Sequence, residues 1–254
     1  MRVQIVIPAR LASTRLPEKL LMSVGGKSIL QHTYESASKS SVAVGVVAAV
    51  DDPRLAHAVA SFGGNVRLTS PSCQSGTDRV AEVAMEMPEF DIFVNVQGDE
   101  PEIDPAAIDL VAQTLIDHPE ADIVTVAKPI REAELLANPN CVKVVIGNDR
   151  RAIYFSRSIV PYARDGVTPA LLHQEPPLYW HHVGLYAYRR DFLLWFAQEP
   201  PAPLENVEKL EQLRALSAGR HIVVARVESA AAGIDTLDDF NAFALRWDSP
   251  PRAT

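Results

Sequence analysis

The stretch that decides the fold is Val3-Gln4-Ile5-Val6-Ile7-Pro8-Ala9-Arg10, a β-branched run, apolar save for Gln4, that ends in a loop rather than a tight hairpin. Similar apolar runs recur at Val42 to Val50, Ile92 to Val96 and Ile123 to Ala127. Strands apolar on both faces belong inside a parallel sheet covered by helices, because an antiparallel sheet with one wet face would alternate. Helical patterns lie between these runs, at Ile29 to Lys39, Pro53 to Phe62, Thr77 to Met87 and Pro105 to Asp117. Asp51 or Asp52, Ser75 and Asp104 are candidate caps, and Pro53 and Pro105 suit a first helical turn. Alternating strand and helix gives an α/β fold with helices on both faces of a mostly parallel sheet.

The pattern changes from Cys141 to Tyr188. Val142 to Ile146, Ala152 to Phe155 and Val183 to Tyr188 read as strands with no long helix between them, which predicts a smaller antiparallel insertion. Its interior, from Pro161 through Pro176-Pro177, is Pro-rich and predicts a loop or interface segment. Helices return at Asp191 to Ala197 and Leu204 to Ser217, a strand follows at His221 to Val227, and a last helix runs from Leu237 to Arg246.

With 254 residues and 47% hydrophobic content, the chain can bury a full core within one domain. Lys and Arg number 24 against 32 Asp and Glu, a net charge of −8, which argues against nucleic acid or an anionic membrane as partner. An anionic substrate would need a locally basic pocket. Cys73 and Cys141 have neither zinc spacing nor a disulfide framework around them and read as ordinary buried thiols. The apolar strand begins at Val3, which leaves no room for a basic n-region and an h-region, and the run Val42 to Val50 is too short to span a bilayer. A reducing cytoplasm is the expected compartment.

Four segments carry candidate chemistry. Pro8-Ala9-Arg10 leads through Ser13, Arg15, Leu16 and Pro17 to Lys19, placing three cations beyond the carboxyl end of the first strand, where open α/β sheets bind ligands. A solvated basic turn is the plain alternative, and the lack of GxxxxGK[ST] argues against an ordinary P-loop. Next, Asn95-Val96-Gln97-Gly98-Asp99-Glu100-Pro101 sets a carboxylate at a strand tip, suited to magnesium shared with phosphates, although Gly-Asp is also common turn chemistry. Finally, Gly233-Ile234-Asp235-Thr236-Leu237-Asp238-Asp239 offers Asp235 just before a helix that Thr236 or Asp238 could cap. If Asp99 and Asp235 meet at one cleft, they would repel without a cation between them. Gln74-Ser75-Gly76-Thr77-Asp78-Arg79 begins a helix and could present amides to an anion, or could be only a capped start.

Taken jointly, these segments resemble the 3-deoxy-manno-octulosonate (KDO) cytidylyltransferases, also called CMP-KDO synthetases. The resemblance runs from Ile7-Pro8-Ala9-Arg10-Leu11-Ala12-Ser13-Thr14-Arg15-Leu16-Pro17 through Gln74 to Arg79 and Val94 to Pro101. It continues in Asn138 to Val145, Tyr154-Phe155-Ser156-Arg157, His182-Val183-Gly184-Leu185-Tyr186-Ala187-Tyr188-Arg189, Leu210-Glu211-Gln212-Leu213-Arg214 and Gly233-Ile234-Asp235-Thr236. It implies a nucleotidyltransferase, Rossmann-like fold over residues 1–254, with an insertion and dimerisation lobe at about 130–190. It also implies that CTP binds before the acid, that Mg2+ is the cofactor, and that the enzyme is a homodimer.

By the same resemblance, Lys19, Asp99 and Asp235 would be catalytic, with Asp99 and Asp235 holding the metal. Pro8, Ala9, Arg10, Lys19, Gln74, Ser75, Gly76, Arg79 and Gln97 would surround CTP. Arg15, Gln97, Arg157, Arg164, His182, Tyr186, Glu211 and Gln212 would surround the sugar acid. The chain departs from the family pattern at Glu18, where a small residue is usual, at Val50, where threonine is usual, and at Trp180-His181, where a basic residue commonly precedes His182. These departures leave open whether the acid is KDO, its 8-amino analogue, a nonulosonate or a small phosphonate such as phosphonoformate. They also leave open the choice of CTP over UTP.

Overall fold

Two hydrophobic layers form on opposite faces of one sheet because successive residues of each strand point to opposite sides. The structure is a computed structural model that describes residues 1–13, 15–73 and 75–248. In chain order the first half contains β1 (Val3–Ala9), a single 3-10 turn (Lys19–Leu21), β2 (Ser23–Val24), β3 (Lys27–Ser28), α1 (Ile29–Ala37), β4 (Gly45–Val50), α2 (Pro53–Ser61), β5 (Val66–Leu68), α3 (Gly76–Glu86), β6 (Ile92–Asn95) and α4 (Pro105–Asp117). The second half contains β7 (Ile123–Pro129), α5 (Ala133–Ala137), β8 (Lys143–Ile146), β9 (Ala152–Ser156), α6 (Pro169–Leu172), β10 (Trp180–Arg189), α7 (Arg190–Phe196), α8 (Pro203–Glu208), α9 (Gln212–Ser217), β11 (Ile222–Arg226) and α10 (Leu237–Asp248).

The main sheet runs in the order β11-β7-β10-β6-β1-β4-β5. β10 is antiparallel to both neighbours, β6 and β7, whereas the other adjacent pairs are parallel. Val3, Ile5 and Ile7 of β1 pack with Ile29, Leu55, Ile108 and Phe243 in one core, under α1, α2, α4 and α10. Val6 faces the opposite way, into a second core with Val80, Phe93, Phe192 and Leu213 under α3, α7 and α9. The four long apolar runs therefore become β1, β4, β6 and β7, buried on both faces as continuous apolarity requires.

Helix starts follow their caps. Asp52 accepts from the Arg54 amide, Ser75 and Asp78 form a capping box, and Asp104 accepts from the Ala106 amide, with Pro53 and Pro105 in first turns. Asp51 is not a cap. Its Oδ1 accepts from the Leu11 amide at 3.0 Å and its Oδ2 from Arg79 at 3.3 Å, which ties the loop after β1 to α3.

Three expectations are corrected. The strand Val183 to Tyr188 belongs to β10 and sits in the centre of the main sheet, while β8 and β9 form an antiparallel hairpin joined to it where His181 lies opposite Lys143. Beside this hairpin, Ile130, Leu136, Cys141, Leu172 and Tyr179 form a third, small core. The helix expected over Leu204 to Ser217 is broken into α8 and α9 by Lys209, whose φ of 54° is left-handed. A buried Arg214 guanidinium grips both carboxylate oxygens of Glu205, at 2.8 and 2.6 Å, and folds the two short helices together. Cys73 and Cys141 are both free thiols, but only Cys141 is buried, and Cys73 is partly exposed in the loop before α3. Among the described residues no helix is long and apolar enough to cross a membrane.

Candidate active site

The carboxyl ends of β1 and β6 meet so closely that a side chain at position 98 would not fit comfortably. A β-carbon on Gly98 would stand 3.2 Å from the Pro8 carbonyl oxygen, so glycine lets the tip of β6 close over β1. Asp99 follows, and its carbonyl accepts the Ile234 amide at 2.8 Å, which brings the Asp235 segment alongside. The Lys19 ammonium lies between them, donating to Asp99 Oδ2 at 2.5 Å, Asp235 Oδ1 at 2.9 Å and the Ile234 carbonyl at 2.7 Å. Arg15 reaches the same Asp235 oxygen at 2.9 Å. Burial works to lower the Lys19 pKa, but the two carboxylates outweigh it and hold the ammonium above its ordinary value.

Two carboxylate oxygens that converge on one cationic point fit a hard divalent ion sharing phosphate oxygens, so the donor set suits magnesium. The neighbouring Glu100 was not singled out from sequence. Burial, with Asp99 next to it, pushes its pKa up to about 8, so it is largely protonated at neutral pH.

Around this centre lies a cleft of about 490 Å3 lined by Pro8, Arg10, Arg15, Lys19, Ser75, Gly76, Arg79, Gln97, Asp99, Glu211 and Asp235. Ala9 is buried at the end of β1, behind that lining. Arg10 donates to the Cys73 carbonyl at 3.1 Å and stays exposed at the rim. Arg79 is 1% exposed, and its guanidinium is engaged with Thr69 Oγ1 at 2.5 Å and Asp51 at 3.3 Å. Gln74 lies outside the described residues.

A second cavity of about 310 Å3 shares Gly76, Gln97 and Glu211 with the first. One wall is aromatic: Tyr186 stacks on Tyr188 at 5.5 Å, and Tyr188 on Phe192 at 5.8 Å. His182 donates from Nε2 to Thr125 Oγ1 at 3.0 Å, because the Thr125 hydroxyl is itself directed to the Leu185 carbonyl at 2.9 Å. Burial, then His181, pulls the His182 pKa down to about 3, so the ring is neutral. Burial also raises the Tyr186 phenol and the Glu211 carboxyl, the latter opposed by hydrogen bonds from Thr77 and Ser75. Gln97 donates to Asn95 Oδ1 at 3.1 Å, and Gln212 Nε2 is buried with no partner among the described residues.

Arg157 and Arg164 lie outside both cavities. Arg157 spends its guanidinium on the carbonyls of Glu208 at 2.8 Å, Pro139 at 3.1 Å and Lys209 at 3.4 Å, and Arg164 stands on an exposed turn. Of the departures, Glu18 turns away from Lys19 and pairs with Arg54 at 2.8 Å, and Val50 is fully buried core. Neither Trp180 nor His181 lines either cavity. Residues not anticipated include Asn95, Phe192, Phe196 and Lys209, which line the second cavity. The alternation of Tyr186 with Tyr188 signalled its aromatic wall.

The family model for Cytidylyltransferase matches residues 4–222. The chain is 65% identical to a 3-deoxy-manno-octulosonate cytidylyltransferase of Rhodopirellula baltica over 98% of its own length and 100% of that protein's. It is 45% identical to one of Geobacter sulfurreducens, over 94% of this chain and 96% of that one. A solved CMP:2-keto-3-deoxy-manno-octonic acid synthetase complexed with CTP superposes with a TM-score of 0.89 at 40% identity, covering 97% of this chain and 98% of that chain. A cytidylyltransferase of Leptospira borgpetersenii, 17% identical with a TM-score of 0.65 over 100% of this chain and 90% of that chain, shares the fold. This chain therefore belongs to the cytidylyltransferase family, and within it to the 3-deoxy-manno-octulosonate cytidylyltransferases.

Proposed function

We propose that this nucleotidyltransferase moves CMP from CTP to the anomeric hydroxyl of 3-deoxy-manno-octulosonate, giving CMP-KDO and pyrophosphate. The observation that carries the reading is the junction of two cavities at Gln97 and Glu211, one polar and cationic beside Lys19, the other walled by aromatic rings with the polar side chains of His182 and Gln212. The sugar hydroxyl attacks the α-phosphorus in line, a new P–O bond forms, the α–β bridging P–O bond breaks, and pyrophosphate leaves with the electron pair. The hydroxyl proton passes to solvent, and no covalent enzyme intermediate is needed.

Catalysis is then chiefly positioning and charge neutralisation. Lys19, Arg10 and Arg15 offset charge on the phosphates, and Ser75 and Gly76 present the start of α3 to the nucleotide. Gln97, His182, Tyr186, Glu211 and Gln212 surround the acid. Asp99 and Asp235 would hold Mg2+, which when bound supplies charge neutralisation at the phosphates. Arg79 acts from beneath the cleft, through Asp51.

The same reading includes a single catalytic domain whose segment at about 130–190 serves as a dimerisation lobe, a homodimer in solution, residence in the cytoplasm, and a product destined for lipopolysaccharide assembly. Light scattering at assay concentration should give the mass of two chains, and a monomer would count against the dimer. The activity is tested by pyrophosphate release with CTP and magnesium across KDO, 8-amino-KDO, N-acetylneuraminate and phosphonoformate, with UTP replacing CTP as a control. Preference for KDO and CTP is expected. Turnover only with another acid would overturn the assignment of substrate, and no CTP-dependent release would overturn the enzyme reading.

A further inference from the structure

The loop that leads into α3 is fastened twice to the helix it precedes. At Ser70 the amide donates to both carboxylate oxygens of Glu82, at 3.1 and 3.0 Å, and the carbonyl accepts from Arg79 at 3.4 Å. Glu82 Oε2 also accepts the Cys73 thiol at 3.1 Å. Within the loop the Cys73 amide donates to the Ser70 carbonyl at 3.2 Å, and the Ser72 amide to the Ser70 hydroxyl at 3.2 Å. Burial first, and then the hydrogen bond to Glu82, pushes the Cys73 thiol up to about 11, so at neutral pH it stays a donor. An amide N–H and a thiol both need an acceptor, and one carboxylate serves the two with no proton of its own to misplace.

Glu82 lines neither cavity, so it touches neither nucleotide nor acid. What the clamped loop offers the cleft is the Cys73 carbonyl, which accepts from Arg10 Nη2 at 3.1 Å. Arg10 is exposed, and a long exposed side chain that samples many rotamers loses that freedom when it receives a phosphate. Holding one guanidinium nitrogen on a fixed carbonyl removes much of this cost in advance and leaves the remaining N–H donors for the ligand. The carbonyl can do so only if the loop behind it does not move, and Glu82 is the group that ties both ends of that loop to α3.

We propose that Glu82 is a positioning residue for the nucleotide: it fixes the 70–73 loop, the loop sets the Cys73 carbonyl, and that carbonyl holds the Arg10 guanidinium ready for the phosphates of CTP. The carboxylate makes no contact of its own with the reacting groups. Its contribution falls on nucleotide binding, so its loss separates KM for CTP from KM for the acid. This inference rests on the reading of the cleft beside Lys19 as the nucleotide's and of Arg10 as a phosphate contact.

The test measures steady-state kinetics, with KM for CTP and for KDO determined separately, in wild type, Glu82→Ala, Glu82→Gln, Arg10→Met and the double variant of Glu82→Ala with Arg10→Met. Glu82→Ala should raise KM for CTP about fivefold, the scale of one net hydrogen bond, with little change in kcat or in KM for KDO. Glu82→Gln keeps one acceptor oxygen for the loop and should recover most of that loss. Arg10→Met should raise KM for CTP by more, and adding Glu82→Ala to it should change little further, since both act on one contact. If Glu82→Ala does not fold, Cys73→Ala, which removes one anchor and keeps the carbonyl, takes its place in the same cycle with the same expected direction. An unchanged KM for CTP in the folded variant, or full additivity with Arg10→Met, overturns the proposal and leaves the functional reading standing. A wild type that shows no CTP-dependent turnover of KDO overturns that reading, and this proposal with it.

Discussion

Lys19 is held by two carboxylates that would otherwise repel each other, so each of the three groups makes the others tolerable in a half-buried place. Asp99 and Asp235 retain side-chain exposures of 27% and 43%, so replacing either by an amide leaves no deeply buried orphan charge. Asp99→Asn and Asp235→Asn should therefore unfold at nearly the wild-type temperature yet lose turnover by about 100-fold or more, the scale of removing one group that acts on transition-state charge. Melting curves and pyrophosphate release check the two halves separately, and unimpaired activity in either variant would reject its role. His182 makes a different prediction. Its folded pKa of about 3 lies below the ordinary value of 6.5, so between these values the unfolded chain binds a proton that the folded chain refuses. Stability is then full above about pH 6.5 and falls with acid, by about 2 kcal/mol at pH 5 from this ring alone. Urea titrations at pH 7 and 5 should show the loss, and His182→Gln should reduce it by about that amount; an equal loss in the variant would exclude His182 as the cause.

At the scale of elements, the closing helix packs against α1 and the turn between β2 and β3. Phe243 and Trp247 of α10 meet the His32 ring at 5.3 and 4.3 Å, and a β-carbon on Gly25 would lie only 2.4 Å from Trp247 Nε1. Gly25 also has φ +57°, so Gly25→Ala should cost about 2 kcal/mol from backbone strain and collision together. In a Trp247→Ala background the collision part should vanish, which denaturant titration of the four variants would detect; a cost unchanged by Trp247→Ala would assign all of it to the backbone. The same elements show what local sequence carries. β1, β4, β6 and β7 were legible because burial on both faces leaves an unbroken apolar run, and α2, α3 and α4 because Asp52, Ser75 and Asp104 sit where a cap must sit. The place of β10 was not, since a strand's own residues do not say which neighbour it pairs with. The break at Lys209 was hidden because neither glycine nor proline marks it; the Glu205–Arg214 pair and the clamp from Arg157 impose it from elsewhere in the fold. For the same reason the anchors of Arg79 and Arg157 were hidden, because their partners at Asp51, Thr69 and three carbonyls come from distant segments.

For the molecule as a whole, the two cavities are not independent compartments, because Gly76, Gln97 and Glu211 belong to both linings. The start of α3 makes the link physical. Ser75 and Thr77 hydrogen-bond Glu211, and the Thr77 and Tyr188 hydroxyls lie 3.2 Å apart, so a nucleotide seated against Ser75 and Gly76 would adjoin the aromatic wall of the second cavity. A ligand at one end can change affinity at the other only if the shared groups differ between the free and bound states, and the effect must be reciprocal. Calorimetric titration of KDO into the enzyme with magnesium, alone and then saturated with a non-hydrolysable α,β-methylene analogue of CTP, measures that coupling. Affinity for the acid should rise about fivefold or more with nucleotide present, the lower end of typical coupling between sites, and nucleotide affinity should rise by the same factor when the titration is reversed. Such coupling would give the order of addition, nucleotide before acid, a thermodynamic origin in three shared residues. Equal acid affinity with and without nucleotide would mean that the shared wall is rigid, and any ordered addition would then have to arise from access, with the nucleotide closing the route by which the acid enters.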